Sequence, residues 1–318
     1  MRLAKRLLLA AAASATAVIA TPATAEVIIG LTDANSLVRF SSNDPGTTSG
    51  QVAVTGLVAG DRLVGIDKRT SAVSGNGLLY GVGLGQGSGR IYTIDPMTGT
   101  ASLVSTLAPD PADMASPFPF ASVSGSSFGV DFNPVPDRLR VTSNTGQNLR
   151  INVDTGLVQL DGPLTYQAGD ANAGATGRIT SVAYANPDAD PMTGTVLRGT
   201  DSGLELVTLH VDPNGGTLQT LVSIPYATTD EVGYDISGTT GLHYFSFTNE
   251  ATGLSELFTF GAGGLLSLGE IGGGQALIGL AARVIGDQDV SVPEPAALGL
   301  LGIGLGGLIL ARRRRRLN

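Results

Sequence analysis

The chain has 318 residues with 45 glycines, no tryptophan and no cysteine, which excludes disulfides, thiolate zinc sites and cysteine nucleophiles. Eight of the 19 basic residues lie in Arg2–Arg6 and Arg312–Arg316, which leaves 11 basic and 26 acidic residues between 26 and 292, a net charge of about −15. A body this acidic repels phosphate backbones and anionic lipid surfaces, so nucleic acid is excluded as an expected partner.

The amino terminus predicts a secretory signal peptide over residues 1–25. Three basic residues precede the apolar stretch 7–19, and Ala23–Ala25 forms a small-x-small cleavage site. Signal peptidase is therefore an expected partner that cuts between Ala25 and Glu26. An uncleaved anchor helix is the alternative, but the apolar stretch is short for a membrane span.

A repeat runs through residues 26–286, which we interpret as one domain. A short apolar strand that ends in a small residue, an aliphatic residue and often Asp recurs five times. The five instances are Leu63–Asp67, Ser127–Asp131, Thr180–Ala183, Val232–Asp235 and Ile278–Ala281. Further strands and a turn rich in Asp, Pro, Asn or Gly follow each of the first four. Four antiparallel strands at a period of about 50 residues are typical of a β-propeller blade.

The fifth repeat is divided between the two ends of the domain. Its first strand lies within 276–284, whereas the segments 27–31, 37–40 and 51–54 supply the other three. A blade assembled in this way closes the ring and leaves no unpaired sheet edge. The sequence therefore predicts an all-β fold, a five-bladed β-propeller closed by N- and C-terminal strands. A β-sandwich is the alternative, but it would not make the repeat span both ends.

One stretch of the body carries a resemblance to a known family. Residues 128–141 read FGVDFNPVPDRLRV, and residues 143–150 read SNTGQNLR. Together they resemble the hallmark of the uncharacterised domain of unknown function 4394, and the resemblance extends over most of 27–284. It implies a propeller-like exported domain and brings no established activity, so no catalytic residue is carried over.

Asp67, Asp131 and Asp235 occupy the same repeat position, at the end of an innermost strand. If all three faced the propeller axis, they could coordinate Ca²⁺ through their oxygen atoms; no other cofactor is expected. In the alternative that we favour, each Asp caps the turn after its strand by accepting hydrogen bonds from local backbone N–H groups.

A second candidate site is a polar patch on one blade. Its residues are Arg138, Arg140, Asn144, Gln147, Asn148 and Arg150. Guanidinium and amide groups suit carboxylates or sugar hydroxyls. The structural alternative is that Arg138 and Arg140, which share a strand face, pair with Asp131, Asp137 or Asp154.

The sequence shows no assembled catalytic constellation, so we expect a non-enzymatic protein. The only histidines are His210 and His243, and neither has a metal-ligand spacing or a G-x-S-x-G elbow nearby. Two alternatives stay open on the same propeller. One is a carbohydrate-active enzyme that uses two of the repeat aspartates as acid and base, and the other is a Ca²⁺-dependent glycan-binding module.

The carboxyl terminus has three parts. A linker, 287–295, precedes an apolar stretch, 296–311, which predicts a transmembrane helix that would rise about 24 Å, and a basic cytoplasmic tail, 312–318, follows. The linker motif is Val292, Pro293, Glu294 and Pro295, and the basic cluster is Arg312, Arg313, Arg314, Arg315 and Arg316. Such a cluster favours the cytoplasmic face, which places the body outside.

This order of motif, helix and arginines resembles the PEP-CTERM sorting signal of Gram-negative bacteria. The resemblance implies that an exosortase is a partner and that the helix holds the exported protein briefly at the inner membrane. Delivery to the cell envelope, outer surface or extracellular matrix follows, with exopolysaccharide as a further expected partner. A plain C-terminal anchor and a basic nucleic-acid tail are the alternatives; the Pro-Glu-Pro triad directly before the span favours sorting.

Overall fold

The computed structural model describes residues 25–71, 76–85, 88–114, 116–117, 119–188, 190 and 192–285. Every regular element in these ranges is a β-strand. No helix in the described part of the chain is long and apolar enough to cross a membrane. The predicted signal helix and the predicted tail helix at 296–311 lie outside the described residues.

The strands are numbered in chain order and form five sheets. Blade 1 contains β1 (Val27–Leu31), β2 (Ser36–Ser41), β3 (Asp44–Thr48) and β4 (Val52–Ala53). Blade 2 contains β5 (Arg62–Lys68), β6 (Leu79–Gly85), β7 (Ser88–Ile94) and β8 (Ala101–Thr106). Blade 3 contains β9 (Ala108–Pro109), β10 (Phe128–Asn133), β11 (Arg138–Ser143), β12 (Asn148–Ile151) and β13 (Leu157–Leu160).

Blade 4 contains β14 (Thr165–Tyr166), β15 (Ile179–Tyr184), β16 (Leu197–Asp201), β17 (Leu206–Asp212) and β18 (Thr217–Ser223). Blade 5 contains β19 (Thr228–Ile236), β20 (His243–Asn249), β21 (Ser255–Gly261) and β22 (Gly264–Glu270). The last strand, β23 (Gly279–Ala281), returns to blade 1 as its innermost strand.

The two ends of the body meet in blade 1. Strand β23 pairs antiparallel with β1, with Ile29 opposite Ala281 and Leu31 opposite Gly279. This pairing joins the two ends of the body in one sheet and closes the ring without a covalent link. The predicted five-bladed propeller, closed by its terminal strands, is confirmed.

The outer part of blade 1 differs from the prediction. The segment 51–54 supplies only the two-residue strand β4, whereas β3, with the sequence DPGTT, pairs along β2 as well. An outermost strand faces solvent, so its side chains need not alternate between apolar and polar. One of its edges is unpaired, so the missing backbone N–H of Pro45 costs no hydrogen bond in the sheet. Apolar patterning could therefore not reveal it.

The five innermost strands crowd around the axis because their small residues allow close approach. A Cβ atom on Gly129 would lie 2.8 Å from the backbone of Ser181 and Val182, and one on Gly65 would lie 2.3 Å from Val130 Cγ2. The axial cavity that remains has a volume of about 10 Å³, room for about one water molecule. The axis is therefore packed and not an open channel.

The apolar core lies mainly between neighbouring blades. Val64 and Tyr80 of blade 2 pack with Phe128 and Phe132 of blade 3, and the Tyr80 and Phe132 rings meet edge to face at 5.3 Å. Similar clusters join blades 1 and 2, blades 4 and 5, and blades 5 and 1. Since each fully buried Leu, Ile or Phe contributes about 1.5–3 kcal/mol, these clusters hold the ring together without disulfides.

Candidate functional site

The three repeat aspartates meet at one end of the propeller, where the innermost strands of blades 2, 3 and 5 finish. Asp67, Asp131 and Asp235 are all buried, and one carboxylate oxygen of each lies within 4.8 Å of those of the other two. We call these residues the aspartate triad. The equivalent positions of blades 4 and 1 hold Ala183 and Ala281, so three of the five repeats contribute a carboxylate.

Each carboxylate of the aspartate triad accepts a backbone N–H from the innermost strand of the next blade. The bonds are Phe132 N to Asp67 Oδ2 (2.7 Å), Tyr184 N to Asp131 Oδ1 (2.9 Å) and Ala282 N to Asp235 Oδ2 (2.5 Å). Asp67 and Asp235 also accept the N–H of the residue that follows them, at 2.7 and 2.6 Å. The triad therefore links blade to blade around the axis, a role that local turn capping did not predict.

Burial governs the protonation of the aspartate triad. Loss of hydration raises the pKa of Asp67 and Asp131 well above the usual range, and repulsion from the other triad carboxylates raises the pKa further. For Asp235, burial raises the pKa to about 7 despite its two backbone hydrogen bonds. The positive charge of Lys68 opposes these shifts at Asp67 and Asp235. The triad therefore holds protons at pH values at which exposed carboxylates are ionised.

Asp131→Asn should therefore stabilise the protein at alkaline pH. Because burial raises the folded pKa values, the folded state binds protons that the unfolded chain releases. The stability contributed by the triad is therefore full below the ordinary carboxyl pKa of about 4 and is lost as pH rises through the raised folded values, about 7 for Asp235. Asn keeps an oxygen for Tyr184 N and removes one charge. We expect a gain of about 1–2 kcal/mol at pH 8 and a flatter pH profile, measured by urea unfolding from pH 5 to 9.

The matched control for this experiment is Asp170→Asn. Asp170 is half-buried, and hydrogen bonds from Asn172 and Thr220 lower its pKa, so its neutralisation should give no gain at pH 8. A loss of stability for Asp131→Asn at pH 8, with an unchanged pH profile, would contradict the proton-holding account.

Five of the six carboxylate oxygens in the aspartate triad already accept a backbone hydrogen bond. Backbone N–H groups already bond to both oxygens of Asp67, both of Asp235 and one of Asp131. Lys68 supplies a positive charge close to the same carboxylates. Calcium binding at the triad stays a prediction, and the geometry accounts for the three aspartates without it.

Three members of the predicted polar patch form a buried network between blades 3 and 4. Arg140 is 1% exposed, and it donates to Tyr184 Oη (3.2 Å), Asn148 Oδ1 (2.8 Å), Asp161 Oδ2 (2.5 Å) and Asn214 Oδ1 (2.8 Å). Arg150 donates to both oxygens of Asp161, at 2.6 and 2.8 Å, and Asn148 donates to the carbonyls of Gly162 and Pro213. These side chains hold two blades together; Arg140 and Asn148 are buried, and Arg150 is half-buried.

The remaining members of the patch lie elsewhere. Arg138 donates to the carbonyls of Pro136 and Asp137. The Gln147 side chain donates a hydrogen bond to the Ser122 carbonyl and accepts one from the Ser124 backbone N–H. Asn144 lies at the opposite end of the propeller from the aspartate triad. The six residues are therefore not brought together into one site.

Sequence reasoning missed Arg69, which pairs with two of the three aspartates that were considered as partners of Arg138 and Arg140. The Arg69 guanidinium is 3% exposed and forms ion pairs with Asp137 (2.7 Å) and Asp154 (2.8 Å) of blade 3. Burial lowers the pKa of Arg69, but the hydrogen bonds to the two aspartates outweigh burial and raise it. Arg69 therefore locks blade 2 to blade 3 at the triad end of the ring.

The other end of the axis opens to solvent at a small mouth. A cavity of about 30 Å³ lies there, lined by Arg62, Val64, Ser126, Ser127, Phe128, Asp230 and Ile278. The Asp230 carboxylate accepts hydrogen bonds from Arg178, Ser202 and Asn144. Although burial raises its pKa, these bonds lower the pKa overall and keep the group ionised. Arg62 is exposed at the rim and donates to the Ser126 carbonyl (3.3 Å).

Both histidines lie in the sheets and not at the mouth. Burial lowers the pKa of His210 to about 3 and that of His243 to about 4. The His243 Nδ1 atom is 2.7 Å from the Tyr234 hydroxyl. Each imidazole is therefore neutral at physiological pH and packs as part of its blade.

A family model described as Domain of unknown function (DUF4394) matches residues 36–281. The chain belongs to this family. A second model, the PEP-CTERM protein-sorting motif, matches residues 291–316. The two resemblances inferred from the sequence are thereby confirmed, and the sorting motif begins just beyond the DUF4394 domain. No curated protein matches the chain.

Several solved structures are similar to the DUF4394 domain. One is a structural genomics protein of unknown function from Bacteroides thetaiotaomicron VPI-5482, with 14% identity, a TM-score of 0.45, and 78% of this chain and 58% of that chain covered. Another is TolB from Acinetobacter baumannii, with 12% identity, a TM-score of 0.39, and 77% of this chain and 53% of that chain covered. A third is Myxococcus xanthus glutaminyl cyclase, with 12% identity, a TM-score of 0.40, and 78% of this chain and 97% of that chain covered. The chain spans little more than half the length of the first two, and likeness at this level transfers no ligand or activity.

Proposed function

We propose that this protein is a non-catalytic DUF4394 propeller, exported by a Gram-negative bacterium and sorted by an exosortase to the cell surface or extracellular matrix. The PEP-CTERM motif at 291–316 is the observation that carries the proposal, because it indicates an exported protein directed to the cell envelope. Signal peptidase removes residues 1–25, the helix at 296–311 holds the chain at the inner membrane, and processing at Pro-Glu-Pro releases the propeller.

The start of the folded body supports the signal-peptide boundary. Ala25 is exposed, whereas Glu26 is buried. The backbone N–H of Glu26 donates to Ser42 Oγ (3.0 Å), and Ser42 N donates to the Glu26 carbonyl (2.8 Å). Among the described residues, the first that the propeller holds is therefore the residue that would follow the predicted cleavage site.

The axial mouth supports a binding role over a catalytic one. Its volume of about 30 Å³ is far below the 300–1,000 Å³ typical of a small-molecule site, so it admits one functional group of a ligand and not a whole substrate. The exposed Arg62 guanidinium presents N–H donors at its rim, whereas Asp230 already accepts four hydrogen bonds from Arg178, Ser202 and Asn144. Such a rim suits the hydroxyl or carboxylate groups of an extracellular polysaccharide.

The geometry lends no support to a carbohydrate-active enzyme built on the repeat aspartates. A glycosidase needs two carboxylates that flank an open cleft. Asp67, Asp131 and Asp235 are buried, and each already accepts a hydrogen bond from a neighbouring blade. They are therefore better placed to hold the ring closed than to reach a substrate.

Deleting residues 293–318 tests the sorting proposal in the natural host. We expect the variant to be exported but to lose most of its retention at the cell, because both the exosortase signal and the membrane helix are gone. Fractionation of medium, periplasm and membranes, followed by immunoblotting, measures the distribution. A deletion variant retained at the cell to the same extent as the natural protein would contradict the proposal.

Replacing Pro293, Glu294 and Pro295 together with alanine provides the matched control. This variant keeps the helix and the arginines, so it separates sorting from plain anchoring. We expect it to accumulate unprocessed in the inner membrane. Wild-type processing and distribution would favour a plain anchor instead.

A further inference from the structure

Glu26 is a buried carboxylate at the seam where the propeller closes. Its side chain is 1% exposed, and Oε1 accepts a hydrogen bond from Ser237 Oγ (2.7 Å), just beyond the inner strand of blade 5. This bond joins blade 1 to blade 5. The second oxygen, Oε2, is buried and accepts no hydrogen bond from any group in the structure. A buried carboxylate oxygen without a partner destabilises a folded protein.

Charged and titratable groups lie around Glu26, but among the described residues none donates a hydrogen bond of normal geometry to Oε2. Asp235 is close enough that the Glu26 carboxylate adds to the burial that raises its pKa. Burial raises the pKa of Tyr244 to about 12, so its hydroxyl stays protonated, and it lies close enough to interact with the Glu26 carboxylate and with Ser42. Cations at this end include Lys68, which acts on Asp235, Arg69, which pairs with Asp137 and Asp154, and Arg283, whose carbonyl accepts Gly238 N. The surroundings of Glu26 are therefore mixed in charge, and Oε2 still has hydrogen-bonding capacity to fill.

The backbone nitrogen of Glu26 is the group best placed to change this balance. It donates its only N–H to Ser42 Oγ at 3.0 Å, and the covalent geometry of the residue keeps it within about 6 Å of its own carboxylate. Hydrolysis of the Ala25–Glu26 peptide bond consumes one water, leaves a carboxylate on Ala25 and, after protonation, an ammonium group on Glu26. A cation with three donors then replaces a neutral amide with one.

We propose that cleavage between Ala25 and Glu26 creates an α-ammonium group that pairs with Glu26 Oε2 and keeps the hydrogen bond to Ser42 Oγ. This pairing, which we call the latch, locks blade 1 against blade 5. The cleavage itself is part of the proposed export route. The exported propeller then gains stability only after its signal peptide is removed. The latch acts at the one blade that has no continuous chain through its sheet, because β23 and β1 come from opposite ends of the body.

The latch has a defined pH dependence. Burial disfavours a charged amine, but the adjacent Glu26 carboxylate should outweigh burial, so the pKa of this α-amino group should rise above its ordinary range of about 7.7–8.0. A raised folded pKa gives stability that is fully present below the unfolded value and lost as pH rises through the folded value. The gain is therefore present at pH 7 and absent by about pH 10.

The test uses residues 26–285, a body that contains all five sheets and the seam between its own ends. One form carries a free α-amino group on Glu26, and the other is acetylated there, which restores the single amide N–H of the precursor. We expect the unfolding equilibrium constant of the free-amine form at pH 7 to be about 10-fold smaller than that of the acetylated form, and the two to converge near pH 10. Urea unfolding across this range measures the difference.

The Glu26→Gln variant, prepared in both forms, is the control. Removal of the carboxylate charge should reduce the difference between free and acetylated forms to less than about 3-fold at pH 7, whatever the substitution does to overall stability. Equal stability of the two wild-type forms, or a difference that persists in Glu26→Gln, would overturn the latch.

Amino-terminal sequencing of the protein exported by its host separates this proposal from the one it rests on. A start at Glu26 is the expected result. A start elsewhere would overturn the proposed processing and with it the latch in the cell, whereas a start at Glu26 without the pH-dependent difference would overturn the latch alone.

Discussion

Replacement of Arg140 by methionine should lower the free energy of unfolding by about 3–5 kcal/mol and the melting temperature by about 10 °C. The guanidinium donates hydrogen bonds to side chains of blades 3 and 4 and of the loops beside them, and it is 1% exposed. Methionine fills a similar length but leaves Tyr184, Asn148 and Asn214 without their donor and Asp161 with Arg150 alone. Urea unfolding monitored by circular dichroism, at pH 7, measures the loss.

Arg138→Met is the matched control for this experiment. Arg138 lies two residues earlier on β11, on the same face of the strand, but its guanidinium donates only to the carbonyls of Pro136 and Asp137. We expect a cost within about 0.5–1 kcal/mol. If the two substitutions cost the same, the buried network between blades 3 and 4 would not be the source of the stability.

The architecture could be predicted from the sequence because the axis imposes a local rule on every blade. Residues 65, 129, 181, 233 and 279 must be small, since each innermost strand packs against the backbone or side chains of the next one. That rule leaves a pattern of small residue, aliphatic residue and Asp or Ala that repeats once per blade. The division of blade 1 followed because the fifth instance of the pattern lies near residue 280, at the end of the body.

The aspartate triad was predicted as a set, but its hydrogen bonds were not. Strand periodicity tells which face a side chain occupies, and it places Asp67, Asp131 and Asp235 at equivalent positions. It does not tell which backbone N–H of the next blade lies opposite, because that depends on the stagger between two sheets. The bonds to Phe132 and Tyr184 therefore became visible only in three dimensions.

The ion pairs of the polar patch could not be assigned from the sequence for the same reason. Arg69 lies 68 residues from Asp137 and 85 from Asp154, and nothing local links them. A weaker signal was present. With only 11 basic residues in the acidic body, an arginine at the end of an innermost strand requires carboxylate partners in a neighbouring blade.

The meeting of the two ends of the body in blade 1 is the central claim, and the absence of cysteine makes it directly measurable. Ile29 and Ala281 are register partners on β1 and β23, so their Cβ atoms should lie about 4.5–5.5 Å apart, close to the separation that a disulfide needs. Cysteine at both positions would cross-link nearly the whole body into one loop. Loops of this length give about 3–5 kcal/mol when the native geometry is unstrained.

A second cysteine pair, Val130→Cys with Val141→Cys, supplies the control. These residues are register partners within the β10–β11 hairpin, so their disulfide forms whether or not the ring closes, and it should stabilise less because its loop is short.

The decisive measurement is the melting temperature of the Ile29→Cys, Ala281→Cys double variant in its oxidised and reduced forms. We expect a monomeric disulfide that raises the melting temperature by about 10 °C over the reduced form of the same protein. Failure of this pair to cross-link within one molecule, under conditions in which the hairpin pair oxidises fully, would contradict the closed five-bladed ring.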